Sequence, residues 1–79
     1  MRNVIVNANS TIGNNCIINN KALIEHDVII SSNCHISTGA IINGNVNIDK
    51  DTFIGSGAII KEGVEIGKSC IVGAGTIIK

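Results

Sequence analysis

The chain has 79 residues, with six basic and six acidic side chains and a formal net charge of zero. It has no run of basic residues of the kind that neutralises phosphates, so we expect no nucleic-acid partner. No apolar stretch approaches the roughly 20 residues that span a bilayer, and the first residues do not form a secretory signal. We therefore expect a cytoplasmic protein with no membrane contact. Because the chain has one Phe and no Trp or Tyr, its core must be aliphatic.

An aliphatic residue recurs at every sixth position along the whole chain. These anchor residues are Val6, Ile12, Ile18, Ile24, Ile30, Ile36, Ile42, Ile48, Ile54, Ile60, Ile66, Val72 and Ile78. A helix has a period of 3.6 residues and a strand a period of 2, so neither explains this spacing. Three short strands joined by tight turns form a triangular coil of about 18 residues, in which inward positions recur every six. The sequence predicts an all-β fold, a single-stranded parallel β-helix of about four coils over residues 1–79.

A second column of small or β-branched residues stands two positions before each anchor, beginning with Val4. It includes all three cysteines, Cys16, Cys34 and Cys70. An odd number of cysteines with no C-x-x-C pair argues against a disulfide framework and against a zinc site. We interpret them as reduced, small hydrophobic residues. Asn and Gly lie mostly between the anchors, where corners need residues that tolerate left-handed backbone.

The residue before each anchor is expected to point outward, and these residues fall into three columns. The first face carries Ile5, Leu23, Ile41, Ile59 and Ile77, the second Ile17, His35, Phe53 and Ile71, and the third Thr11, Ile29, Asn47 and Glu65. Two faces are apolar and one is polar. Two apolar faces exceed what soluble monomers usually expose. If the first face of one copy packs on the second face of the next, the ring closes, and three copies suit a triangular prism. We therefore expect a homotrimer.

The two histidines are the side chains best suited to chemistry. His26 lies at a predicted corner between Glu25 and Asp27, and His35 lies on the second face. An isolated surface histidine is usually inert, but an adjacent carboxylate fixes its tautomer and raises its basicity, as a general base requires. The two residues are half a coil apart and cannot share a small site within one chain. A subunit boundary could bring them together, so we hypothesise an interfacial site.

Five segments give the chain a family resemblance. They are Glu25-His26-Asp27, His35 with the following Ser37-Thr38-Gly39-Ala40, Asn43-Gly44-Asn45-Val46, Gly55-Ser56-Gly57-Ala58 and Gly73-Ala74-Gly75. With these segments the sequence resembles the sialic acid O-acetyltransferase family, which includes bacterial UDP-amino-sugar N-acetyltransferases. The resemblance implies a left-handed β-helix. The period of six does not by itself determine the hand. It also implies a homotrimer that binds acetyl-CoA between subunits.

The resemblance also implies roles for individual residues. His26 matches the general base that takes a proton from the acceptor amine or hydroxyl, and Asp27 would orient it. His35 matches the histidine that contacts the acetyl group. Gly44 matches a position whose main chain lies close to the thioester. Ser56 and Ala74 match positions whose main chain lies along the coenzyme. Neither a metal nor a covalent enzyme intermediate is implied. The expected function is acetyl-CoA-dependent acetylation of an amino or hydroxyl group of a sugar or nucleotide sugar.

Other functions compete with this one. Family members usually carry an N-terminal nucleotide-sugar-binding domain and a C-terminal segment, and residues 1–79 show neither. The main alternative is therefore a non-catalytic trimeric β-helix module, or a fragment that keeps the scaffold but not acceptor binding. A γ-type carbonic anhydrase needs three zinc-binding histidines, and this chain has two. An ice-binding solenoid would display threonine ladders, whereas the outward columns here are largely aliphatic.

Overall fold

The computed structural model describes residues 5–79, which form thirteen strands of two residues each. They are β1 (Ile5–Val6), β2 (Thr11–Ile12), β3 (Ile17–Ile18), β4 (Leu23–Ile24), β5 (Ile29–Ile30), β6 (His35–Ile36), β7 (Ile41–Ile42), β8 (Asn47–Ile48), β9 (Phe53–Ile54), β10 (Ile59–Ile60), β11 (Glu65–Ile66), β12 (Ile71–Val72) and β13 (Ile77–Ile78). Each strand consists of one outward residue followed by one anchor. The period of six is thus the spacing of strands.

Each strand from β1 to β10 pairs in parallel with the third strand after it, so that Ile5 lies opposite Leu23 and Ile17 opposite His35. Three sheets result, with the orders β1-β4-β7-β10-β13, β12-β9-β6-β3 and β11-β8-β5-β2. They carry the first, second and third faces respectively. The predicted parallel β-helix of about four coils and the sorting of its three faces are both confirmed.

The anchors fill the inside of the prism. Those that are at most 2% exposed are Ile18, Ile24, Ile30, Ile36, Ile42, Ile48, Ile54 and Ile60. Burying an isoleucine side chain contributes about 1.5–3 kcal/mol, and this column is the main apolar contribution to stability. The small residues two positions before the anchors pack against it, including Ala22, Val28 and Val46. Val4 lies outside the described residues, so its place in this column stays a prediction.

Each of the twelve turns between described strands contains one residue with left-handed backbone, always the third after an anchor. These residues have φ between 57° and 78° and are Asn9, Asn15, Lys21, Asp27, Asn33, Gly39, Asn45, Asp51, Gly57, Gly63, Ser69 and Gly75. Left-handed backbone costs an ordinary L-residue roughly 1–2 kcal/mol, and Gly, Asn and Asp tolerate it best. All but Lys21 and Ser69 belong to these three types. Four of the asparagines, Asn9, Asn15, Asn33 and Asn45, therefore occupy positions that favour Asn for a backbone reason.

Three thiol or hydroxyl groups, of which those of Cys34 and Thr52 are buried, line the corner between the third and second faces. Each donates a hydrogen bond to a main-chain carbonyl on the next coil. The pairs are Cys16 with Ser31 at 3.1 Å, Cys34 with Asp49 at 3.2 Å and Thr52 with Gly67 at 3.0 Å. The three cysteines are free, as expected. Their interpretation as small hydrophobic residues was incomplete, because Cys16 and Cys34 also satisfy carbonyl groups.

Replacing one central anchor should destabilise the whole solenoid. Ile36 is fully buried, and Ile36→Ala should lower the free energy of unfolding by about 2–5 kcal/mol because it leaves a cavity. The control is Glu65→Ala on the third face, which should change it by no more than about 0.5 kcal/mol. Urea denaturation at one fixed protein concentration measures both. Equal effects from the two variants would contradict the inward assignment of the anchors.

The Cys34 thiol should make stability depend on alkaline pH. Burial raises the pKa of this thiol, so the folded chain holds its proton more tightly than the unfolded chain does. The unfolded state therefore loses the proton first, and the free energy of unfolding should fall as pH rises from about 9 toward the raised value. Cys34→Ala should remove this part of the decline in urea denaturation. The control, Cys70→Ala, removes an exposed thiol and should keep the wild-type dependence; a decline unchanged by Cys34→Ala would refute the assignment.

Candidate functional site

His26 and Asp27 form a hydrogen-bonded pair in the turn between β4 and β5. The imidazole Nδ1 lies 3.1 Å from Asp27 Oδ2, and the two side chains are 53% and 46% exposed. An ionised carboxylate can only accept here, so Nδ1 carries a proton, and in the neutral imidazole Nε2 then keeps its lone pair. An ion pair this exposed adds little stability. The hydrogen bond between His26 and Asp27 instead fixes the tautomer and the ring orientation that a general base needs.

Gly44 lies one coil further along the same corner and forms the surface on which the His26 ring rests. A Cβ added to Gly44 would lie 2.7 Å from His26 Nε2 and 2.8 Å from Cε1. The coils are joined here by the Asn45 amide, which donates to the His26 carbonyl at 3.1 Å. His26, Asp27 and Gly44 therefore form one local group, as the predicted roles require.

Two side-chain amides brace the coils on either side of this corner. The Asn7 amide donates to the Glu25 carboxylate at 3.2 Å, and the Asn43 amide donates to the Ile60 carbonyl at 2.8 Å. The first bond ties the His26 turn to the coil before it, and the second ties the Gly44 turn to the coil after it. The Glu25 amide also donates to the Ile42 carbonyl at 2.9 Å, so the His26 turn is held from both neighbouring coils.

His35 opens β6 on the second face and is half-buried. Its Nε2 lies 2.9 Å from the Asn19 amide nitrogen, and its ring meets Phe53 edge-to-face with centroids 5.0 Å apart. Since the amide donates to Nε2, the ring proton resides on Nδ1, which is left as a hydrogen-bond donor. His35 is thus oriented by two neighbours, one polar and one aromatic.

Asn19 is a residue of this site that the sequence reasoning missed. Four asparagines, Asn9, Asn15, Asn33 and Asn45, occupy the left-handed third position of a turn. Asn7, Asn19 and Asn43 instead occupy the first position, where φ is not positive. All three use their side-chain amides in hydrogen bonds. An asparagine displaced from the left-handed position was the available signal.

Ser56 and Ala74 lie on a different edge, between the second and first faces. They belong to the turns that precede β10 and β13, and both are exposed. The Gly75 amide donates to the Ser56 carbonyl at 2.9 Å. A Cβ on Gly55 would lie 2.6 Å from the Ala74 nitrogen, so the main chains of the two coils approach closely. This edge presents a strip of small residues and main chain.

Within one chain the six predicted site residues therefore form three separate groups. His26, Asp27 and Gly44 share one edge, Ser56 and Ala74 share another, and His35 lies on the second face. The three groups thus lie on two different edges and one face of the prism. Their convergence across a subunit boundary stays a prediction, as do the individual roles.

Across residues 5–79, no three His, Cys, Asp or Glu side chains come together in a way that could hold a metal ion. The same part of the chain contains no helix that is long and apolar enough to cross a membrane.

Comparisons with known proteins agree with this architecture. The family model described as bacterial transferase hexapeptide (six repeats) matches residues 45–79. Perosamine N-acetyltransferase from Caulobacter crescentus, solved as the H141N mutant in complex with CoA and GDP-perosamine, is similar to 96% of this chain at 36% identity with a TM-score of 0.93. No curated protein sequence matches the chain significantly.

The match extends to the hand of the solenoid, and the predicted left-handed parallel β-helix is confirmed. The chain spans 36% of the length of the solved acetyltransferase that it matches. The repeat, the solenoid and this structural match show that the chain is similar to bacterial transferases of the hexapeptide-repeat type.

Proposed function

We propose that this chain is the catalytic β-helix of an acetyl-CoA-dependent acetyltransferase that acylates an amino or hydroxyl group of a sugar or nucleotide sugar. The observation that carries the proposal is the His26 imidazole, whose Nδ1 is bonded to Asp27 and whose Nε2 keeps its lone pair at an exposed corner. The similar Caulobacter enzyme is an N-acetyltransferase that was solved with CoA and a nucleotide sugar. The finer assignment, to the sialic acid O-acetyltransferase family, rests on the Glu25-His26-Asp27 and His35 pattern.

The proposed reaction is direct transfer. His26 Nε2 removes the proton from the acceptor amine or hydroxyl as its nitrogen or oxygen attacks the thioester carbonyl. The new C–N or C–O bond forms, the C–S bond then breaks, and the imidazolium returns its proton to the departing sulfur. Asp27 stabilises the imidazolium through Nδ1 and does not need to accept the proton.

Two groups are proposed to stabilise the negative charge on the carbonyl oxygen. The Nδ1 proton of His35, oriented by Asn19, is one donor, and the main-chain amide of Gly44 is the other. Because these groups lie on different parts of one prism, His35 would come from the neighbouring subunit. Ser56 and Ala74 would supply main chain along the coenzyme.

A homotrimer is proposed to assemble this site. The first and second faces keep large apolar side chains in contact with solvent, among them Ile17, Phe53, Ile71 and Ile77, which are 52%, 39%, 80% and 53% exposed. A chain of 79 residues buries only about 60% of its unfolded surface when alone. Packing these faces between copies would add stability and place the site at the boundary.

Binding of acetyl-CoA to the assembled chain tests the coenzyme part of the proposal. Calorimetric titration of the full 79-residue chain should show saturable binding near one acetyl-CoA per subunit, and sedimentation should give three times the 8.2 kDa chain mass. Desulfo-CoA serves as a probe that lacks the thioester. A trimer that binds neither compound would favour the alternative, a non-catalytic module that keeps only the scaffold.

Removing the proposed base should abolish transfer without abolishing coenzyme binding. His26→Ala should lower kcat by about 10²–10⁴-fold, the usual contribution of general-base catalysis, and should leave acetyl-CoA affinity unchanged. Transfer to GDP-perosamine and to a UDP-linked amino sugar would be followed by release of free CoA thiol. Full activity of His26→Ala would contradict the mechanism.

A matched pair of substitutions separates the chemistry of Asp27 from its place in the backbone. Asp27→Asn and Asp51→Asn both keep a residue that tolerates left-handed φ, since the two positions have φ of 58° and 61°. Only Asp27→Asn removes a carboxylate from His26, so only it should lower kcat. Equal activity of the two variants would show that Asp27 serves the turn alone.

A further inference from the structure

We propose that Gly44 is a positioning residue for His26, because its missing side chain leaves the space in which the imidazole is held. This role is separate from any use of the Gly44 main-chain amide. The catalytic consequence rests on the function proposed above, while the placement of the ring rests on geometry alone.

The backbone does not require a glycine at this position. Gly39, Gly57, Gly63 and Gly75 stand at the left-handed third position of their turns, with φ between 70° and 78° and nothing within 4 Å of an added Cβ. Gly44 stands one position earlier and does not have positive φ. The equivalent turn residues that carry a side chain are Ala8, Asn14, Asn20, His26, Ser32, Thr38, Lys50, Ser56, Glu62, Lys68 and Ala74. A side chain is therefore compatible with the backbone of this turn position.

The space next to Gly44 is taken by His26. An added Cβ would lie 2.7 Å from Nε2, 2.8 Å from Cε1 and 3.3 Å from Cδ2, and separations below 3.0 Å essentially do not occur for real Cβ atoms. Gly44 is buried although it lies in an outer corner, whereas Ser56, at the same turn position on another edge, is exposed. The His26 ring that covers Gly44 therefore explains why this position carries no side chain.

The ring is held from two sides as a result. Asp27 bonds Nδ1 at 3.1 Å, and the edge formed by Nε2 and Cε1 lies against the main chain of Gly44. A methyl group at position 44 would push on the edge that receives the acceptor proton, while Asp27 anchors the opposite edge. Displacements of about 1 Å at a reacting group typically cost about 10²-fold in rate.

Gly44→Ala tests this role because it keeps the main-chain amide and adds only a methyl group. We expect kcat to fall about 10- to 100-fold and KM for acetyl-CoA to change less than about two-fold. Long-range ¹H–¹⁵N correlation spectra of the His26 ring should move away from the single tautomer protonated at Nδ1. Lys50→Ala, at the same turn position on another edge, should leave kcat and the ring resonances unchanged.

A double variant shows whether the methyl group acts through the imidazole. In a His26→Ala background the space is empty, so adding Gly44→Ala should not lower the residual rate further. It should also raise the thermal unfolding midpoint, because alanine restricts the unfolded chain more than glycine does.

Three results decide the inference. Unchanged kcat and unchanged ring resonances in Gly44→Ala would overturn it, and so would an equal loss of rate in the presence and absence of His26. If Gly44→Ala displaces the ring but the wild-type chain transfers no acetyl group, the positioning of His26 stands and the proposed acetyltransferase function fails.

Discussion

Main-chain pairing between successive coils is the constraint on which the rest of this structure depends. Amide and carbonyl groups join across the coils at spacings such as 2.8 Å for the Thr11 amide and the Val28 carbonyl. Such pairing continues only if every coil closes after the same number of residues, so each turn repeats one backbone shape with one left-handed residue. The neighbours of any side chain are then set by its position one coil away. Gly44 lies beside His26 for this reason, and Phe53 lies beside His35.

Two edges of the prism satisfy their turn carbonyls in different ways. Between the third and second faces, Cys16, Cys34 and Thr52 donate to carbonyls of the following coil. Between the second and first faces the inward residues are alanines, and the turns close with their own amides, as the Ala40 amide does on the Ser37 carbonyl at 3.2 Å. Side-chain hydrogen bonds thus occupy the edge between the third and second faces. None of the proposed site residues belongs to that edge.

Much of the fold was accessible from the sequence because inward and outward positions alternate with a fixed spacing. The anchors, the strands and the three faces follow from that spacing directly. The hand does not, since both hands give the same period, and it came from the family resemblance. The thiol hydrogen bonds and the contact between Asn19 and His35 depend on side-chain directions at 15- and 16-residue separations, which periodicity does not encode. The contact between Gly44 and His26 was easier to predict from the sequence, because residues 18 apart lie next to each other on successive coils.

The geometry of a triangular coil also explains why a single copy forms only part of the proposed site. Each coil contributes one short turn to each edge, and His26 and Asp27 are the two exposed residues of their turn. Further catalytic groups must come from another coil at the same edge, as Gly44 does, or from a second surface brought against it. The apolar first and second faces provide a physical reason for such a surface to approach. Burying apolar surface contributes about 25 cal/mol of favourable free energy per Å² removed from water. The proposed trimer would therefore both add stability and complete the proposed site.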